Sequence, residues 1–176
     1  MPSLTEVDLA AETPRLSLRP LGAADRDDLR RITDHPEVTG AISFLPTPFT
    51  EADAAALIAQ NDTPSERFLG VRRRTDGALV GVVGAHLQTG GQIEIGYWLA
   101  RDCWGRGYAA EAAGALVAAL RAAFERPRII AECRPDNAAS WRVLEKLGFR
   151  PTGEVEKRWS AVRGQEVDCI MYAHAA

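Results

Sequence analysis

Trp104-Gly105-Arg106-Gly107-Tyr108-Ala109 sets two glycines among bulky residues, directly ahead of the alanine-rich run Ala110–Phe124, whose composition predicts a helix. Glycine permits sharp turns and close approach of a ligand to the backbone, and the first amides of a helix have no partner within it. Such a turn can cradle a phosphate. The positive end of the helix dipole reinforces the free N–H groups, and Arg106 can add a full charge at the rim. Taken alone, Gly-x-Gly also describes an ordinary tight strand-to-helix turn, so the flanks must separate the two readings.

Downstream, Leu116, Leu120 and Phe124 recur every four residues and give the predicted helix one apolar face for a sheet. Arg128–Cys133 reads as a short strand ended by Pro135, and Asn137 as the cap of a helix reaching Leu147, with Gly148 where helices commonly stop in left-handed geometry. Glu154–Trp159 and Val167–Tyr172 around Arg163-Gly164 read as a closing hairpin. Upstream, Phe68–Arg72, Leu79–Leu87 and Gln92–Leu99 are strands joined at Asp76-Gly77 and Gly90-Gly91, an antiparallel meander. Arg15–Arg19 alternates polar with apolar residues and stops at Pro20, as a half-buried first strand does. Ala23–Thr33 predicts a helix, and Thr50-Glu51-Ala52-Asp53 resembles a capping box that opens another through Leu57 and Ile58. The segment Pro36–Phe49 between them, with Phe44, Leu45 and Phe49, reads equally as a recognition loop or as a hydrophobic flap packed on the core.

This order predicts an α+β, or mixed α/β, layout around one sheet. The chain of 176 residues, 46% hydrophobic, suits a single domain over 15–176 preceded by a loose N-terminal tail over 1–14. A formal charge of −3 argues against general nucleic-acid binding, so an anionic ligand would need a local positive site. No apolar run approaches the ~20 residues of a membrane span, and the first residues lack a signal-peptide pattern, so a soluble cytoplasmic protein without a membrane partner is expected. Three scattered cysteines and three histidines show neither disulfide nor metal-ligand spacing, so no metal is expected.

Glu94-Ile95-Gly96-Tyr97-Trp98-Leu99, then the glycine turn through Ala112, then Asn137-Ala138-Ala139-Ser140-Trp141-Arg142-Val143-Leu144-Glu145-Lys146-Leu147-Gly148-Phe149 stand in the order of a known family. Together they resemble the GNAT superfamily of acyl-CoA-dependent N-acetyltransferases, and within it most of all the branch that acetylates N-terminal α-amines of ribosomal proteins, which also includes enzymes acting on small amines. The resemblance runs from Arg15 to Tyr172. It implies a mostly antiparallel seven-stranded sheet with one splayed parallel pair, Gln92–Leu99 beside Arg128–Cys133, flanked by about four helices. It implies acetyl-CoA as cosubstrate, with its pyrophosphate on the backbone of Gly105, Arg106, Gly107, Tyr108 and Ala109. Trp104 opens that motif where relatives often carry Gln or Arg. The pantetheine arm would lie as a substitute strand against Tyr97, Trp98 and Leu99, where an N–H polarises the thioester carbonyl.

Asn137 and Ser140, three apart at the start of a helix, can face one side, one for pantetheine and one for the thioester sulfur. Both also suit plain capping. Many relatives place a tyrosine seven residues after the Asn as the acid; this chain has Leu144, which leaves Ser140 as the candidate. Glu94 shares a strand face with Gly96 and Trp98 and is the candidate base, unless its face is solvated. His86, Glu132, Cys133, Glu154 and Arg158 are further residues that can border the cleft, with His86 read as a hydrogen-bonded structural residue. The acceptor expected is a primary amine, a protein N-terminus or a small molecule; a homodimer is left open. The competing reading is a non-catalytic acyl-CoA-binding sensor or interaction module, kept by Leu144.

Overall fold

A computed structural model describes residues 3–175. Its strands are β1 (Ala11–Glu12), β2 (Leu16–Pro20), β3 (Glu66–Arg73), β4 (Leu79–Leu87), β5 (Ile93–Leu99), β6 (Ile129–Cys133), β7 (Phe149–Ser160) and β8 (Gln165–His174). They form one sheet in the order β1-β2-β3-β4-β5-β6-β8-β7. Among the described residues only β5 and β6 run parallel. The helices are α1 (Arg26–Thr33), α2 (Pro36–Thr39), α3 (Glu51–Ala59), α4 (Tyr108–Ala123) and α5 (Ala138–Lys146). The α+β class and the single parallel pair are as expected.

Two expectations need correction. The sheet has eight strands rather than seven, because Ala11 and Glu12 pair with Leu18 and Ser17. Of the segment read as a loose tail over 1–14, residues 1 and 2 lie outside the described residues, and the remainder is packed: Leu4 and Leu9 are 0% and 2% exposed, and the Leu4 N–H donates to the Pro64 carbonyl at 2.8 Å. Isolated leucines in a polar stretch carry no period, so their burial is decided by the surface they meet rather than by their neighbours in sequence.

The local signals acted as their chemistry predicts. Thr50 caps α3 by accepting from the Asp53 N–H at 3.2 Å, while Asp53 accepts from the Thr50 N–H at 2.8 Å. Leu116 and Leu120 are buried on α4 beside Ala112, Ala113 and Val117. In the segment between α1 and α3, α2 is a single turn, Leu45 and Phe49 are buried, and Phe44 stays 55% exposed. The segment therefore serves as core cover at Leu45 and Phe49 and offers Phe44 to the cleft.

Consecutive strand residues face opposite sides. On one side Trp98 donates through Nε1 to Thr33 Oγ1 of α1 at 3.0 Å; on the other, Tyr97 meets Ser140 of α5. The β5–β6 ladder consists of Ile93↔Ile129 and Glu94↔Ile130. Beyond it β5 stays with β4 as far as Leu99, and β6 stays with β8 as far as Cys133. Each strand is held from its far side, so the two diverge and a cleft opens between them.

Candidate active site

The cleft is continuous, about 930 Å³, and reaches from the start of α4 through the gap between β5 and β6 to a group of carboxylates and aromatic rings. At its first end Gly105 and Gly107 have φ of 74° and 77°, the left-handed region that side chains resist. Helix α4 opens on Gly107 without a side-chain cap, and Gly105, Gly107, Tyr108, Ala109 and Ala110 line the cleft. Arg15 braces the turn: Nη1 donates to the Arg106 carbonyl at 2.9 Å, the guanidinium pairs with Glu111 at 2.6 Å, and it lies 4.8 Å over the Tyr108 ring. Burial alone would raise the Glu111 carboxyl, but hydrogen bonds from Thr13 and Arg15 hold it below its usual value. Trp104 ties the turn to β5 by donating to the Leu99 carbonyl at 3.0 Å.

Arg106 does not line the cleft; its guanidinium turns back to the Asp102 carbonyl at 3.2 Å. The cleft-lining cations on α5 are Arg142 and Lys146, one helical turn apart. Neither is distinguishable in sequence from an ordinary solvated lysine or arginine.

In the middle of the cleft, Tyr97 Oη lies 3.0 Å from Ser140 Oγ and donates to the Ser140 carbonyl at 3.1 Å. Burial holds the Tyr97 phenol protonated well above its ordinary range, a trend the Ser140 contact moderates. Asn137 Oδ1 accepts from the Ser140 N–H at 3.2 Å, so Asn137 does cap α5 and fixes Ser140 at the cleft. Cys133 lies alongside, with its thiol pushed up by burial. Leu144 is fully buried and does not line the cleft; β5 supplies a phenol from the other side of the gap.

At the far end Glu94 is half-buried and accepts from Gln88 Nε2 at 2.8 Å. Its carboxyl is raised above the usual range, first by burial and then by the neighbouring Glu132 charge, with His86 and Arg158 pulling the other way. Arg158 Nε stands 2.6 Å from Glu132 Oε2 without hydrogen-bond geometry, an ionic contact, and its Nη1 meets Glu156 at 2.6 Å. Phe44, Phe68 and Trp98, with ring centroids 6.1 to 6.4 Å apart, wall this end.

Residues 15–150 match the family model described as an acetyltransferase (GNAT) domain. The chain belongs to the GNAT acetyltransferase family. It is 32% identical over 169 residues to an uncharacterized N-acetyltransferase, p20, of Bacillus licheniformis, covering 92% of this chain and 93% of that one. The crystal structure of a GNAT-family acetyltransferase from Bacillus anthracis superposes with a TM-score of 0.79 at 28% identity, over 93% and 96% of the two chains. RimL, a ribosomal L7/L12 alpha-N-protein acetyltransferase solved in complex with coenzyme A, shares the fold with a TM-score of 0.76 at 20% identity, over 92% and 94%.

Within this GNAT domain, Glu94, Tyr97, Trp98, Leu99, Trp104, Gly105, Gly107, Tyr108, Ala109, Asn137 and Ser140 gather around one cleft, and Arg106 lies outside its lining. Of the further residues, His86, Glu132, Cys133 and Arg158 border it and Glu154 does not. Sequence reasoning missed Glu66, Phe68, Arg142 and Lys146. Glu66 and Phe68 sit on an alternating strand whose pairing partners the sequence does not reveal.

Proposed function

We propose that this chain is an acetyl-CoA-dependent N-acetyltransferase that passes an acetyl group directly to a primary amine, a protein N-terminus or a small molecule, in a ternary complex. The observation that carries the reading is the continuity of the cleft from the uncapped start of α4, through the β5–β6 gap, to the carboxylate end. Acetyl-CoA supplies an activated acyl thioester. The chain's residues fit it: left-handed Gly105 and Gly107 leave the α4 amides open to a diphosphate, and Arg142 and Lys146 add charge beside them. The unladdered edge of β5 offers backbone groups to the amides of pantetheine, and an N–H there polarises the carbonyl. Glu94 accepts the proton that the amine loses, its raised carboxyl being matched to that task. Ser140, backed by Tyr97, donates to the departing sulfur. A free α-amine has a reference pKa near 8 against about 10.4 for lysine, so it needs the least help from such a base.

Release of free thiol from acetyl-CoA across a panel of N-terminal peptides, polyamines, amino acids and aminoglycosides tests the reading. Amine-dependent release supports it. Tight acetyl-CoA binding without release for any amine would favour the sensor reading, whose support is Leu144 in the place where many relatives carry a tyrosine.

A further inference from the structure

Three titratable side chains form a straight row across the acceptor end of the sheet. The register sets Glu66 of β3 opposite His86 of β4, and His86 opposite Glu94 of β5. Directly opposed residues on antiparallel strands project from the same face. Glu66 and His86 Nδ1 are in hydrogen-bond contact, and all three residues line the cleft. A carboxylate on Nδ1 sets the tautomer that leaves Nε2 free to accept a proton, and it stabilises the imidazolium that results.

Two glycines set where that nitrogen points. Gly84 and Gly96 oppose each other one step along the same face, and Val82 and Trp98 follow. A Cβ on Gly84 would stand 3.0 Å from His86 Nε2, and one on Gly96 3.9 Å from it. The imidazole therefore lies over a floor cleared of side chains, with Nε2 above Gly84 and beside Gly96. Phe68 meets the ring edge-on at 5.1 Å and Phe44 at 6.2 Å. The ring is 17% exposed, so it is held rather than free. The charges facing it are Glu66 from β3 and Glu94 from β5, with Glu132 on β6 and Arg158 and Glu156 on β7 behind Glu94. The nearby segment contributes the uncharged Ser43 and Phe44.

We propose that His86, oriented by Glu66, is the relay partner of Glu94: by way of water in the cleft it receives on Nε2 the proton that Glu94 takes from the attacking amine. This deepens the acetyltransferase reading and rests on it. As the amine nitrogen forms its bond to the acetyl carbon, the carbon–sulfur bond breaks and its electron pair leaves with sulfur, which is protonated from the Ser140 side. The proton lost by nitrogen passes through Glu94 to His86 and then to water by way of the more exposed Glu66. His86 acts through Glu94 and is a positioning and relay residue.

The test compares wild type, His86→Gln and Glu66→Gln by kcat, KM for the amine and the pH dependence of kcat/KM, with acetyl-CoA affinity and melting temperature as checks on folding. His86→Gln is expected to lose about 10- to 100-fold in kcat, at or below the lower end of what a group acting directly as general acid or base contributes, and one proton-dependent step of the profile, with acetyl-CoA affinity unchanged. Glu66→Gln is expected to lose less. In His86→Gly, added imidazole is expected to restore turnover in proportion to its concentration, beyond its effect on wild type, which a packing role would not produce; that measurement also decides the matter if His86→Gln is destabilised. Wild-type turnover with an unaltered profile in His86→Gln, or a loss uniform in pH without imidazole rescue, overturns the relay alone. Absence of wild-type turnover with every amine overturns the acetyltransferase reading, and the relay with it.

Discussion

Gly107→Val places the heaviest demand on the phosphate-cradle reading. Gly107 has φ of 77°, where an L residue is strained by roughly 1–2 kcal/mol and a β-branched one by more. Space is not the obstacle at the first carbon: a Cβ there would meet Arg15 Nη2 at 3.5 Å, an ordinary contact. The fold should therefore survive with a melting temperature lowered by roughly 2–8 °C, taking about 2–4 °C per kcal/mol for a chain of this size. The methyl groups, however, stand at the mouth of the uncapped α4 amides. Each hydrogen bond from such an amide to a charged phosphate contributes roughly 1.5–3 kcal/mol, so losing one weakens binding by roughly 10- to 150-fold, and losing two multiplies the factors. Gly107→Ala should show the same backbone strain with a smaller loss of affinity. Calorimetric titration of acetyl-CoA against the three proteins, each shown folded by its melting transition, reads the effect. Affinity within roughly twofold of wild type in the folded valine variant would refute the cradle, since no phosphate could then rest on that backbone.

Acetyl-CoA at about 100 times its Kd should raise the melting temperature by roughly 5–11 °C, from about 2.7 kcal/mol of linkage, while a nicotinamide dinucleotide leaves it unmoved; no shift at saturation would contradict coenzyme binding. Glu94→Gln should lower turnover chiefly at low pH and recover partly at alkaline pH as neutral amine becomes abundant, with acetyl-CoA affinity nearly unchanged; a loss equal at every pH would assign Glu94 to substrate positioning. The same variant carries a stability signature. The folded Glu94 carboxyl is raised by burial, so its contribution is fully present below the unfolded value near pH 4.3 and is lost as pH rises through the folded value. Glu94→Gln should therefore melt higher than wild type at pH 8, with the gap closing toward pH 4, and a gap that widens toward acid would contradict a buried carboxyl. Ser140→Ala and Tyr97→Phe should each slow thiol release by about 10-fold, and the double variant by less than the product, because the two hydroxyls share one 3.0 Å contact; fully multiplicative losses would separate their roles.

The residues that sequence reading placed well are those whose signal is local. The glycine turn before α4, the Thr50 and Asn137 caps and the Gly90-Gly91 turn between β4 and β5 all depend on backbone preferences acting over a few residues. The same holds for Glu94, Gly96 and Trp98, which alternation alone puts on one face. The Arg106 guanidinium, read from sequence as able to add charge at the rim, instead donates to the Asp102 carbonyl, a partner that side-chain packing and not the local sequence selects.

By itself, then, the sequence determined the element order and the glycine turn ahead of α4, since turns, caps and periodicity are written in neighbouring residues, while the single parallel pair followed from the resemblance of the three motifs to the GNAT superfamily. Tertiary structure alone decided the rest. Strand register aligned Glu66, His86 and Glu94 across a separation of 28 residues, counted from 66 to 94. Divergence of β5 and β6 brought the phenol of Tyr97 to Ser140, 43 positions along the chain. The packing of α5 turned Arg142 and Lys146 to the cleft, and the hydrophobic core took in Leu4 and Leu9. Each of these juxtapositions depends on which surfaces meet when the core closes, and close packing of side chains far apart in sequence leaves no mark in any local window.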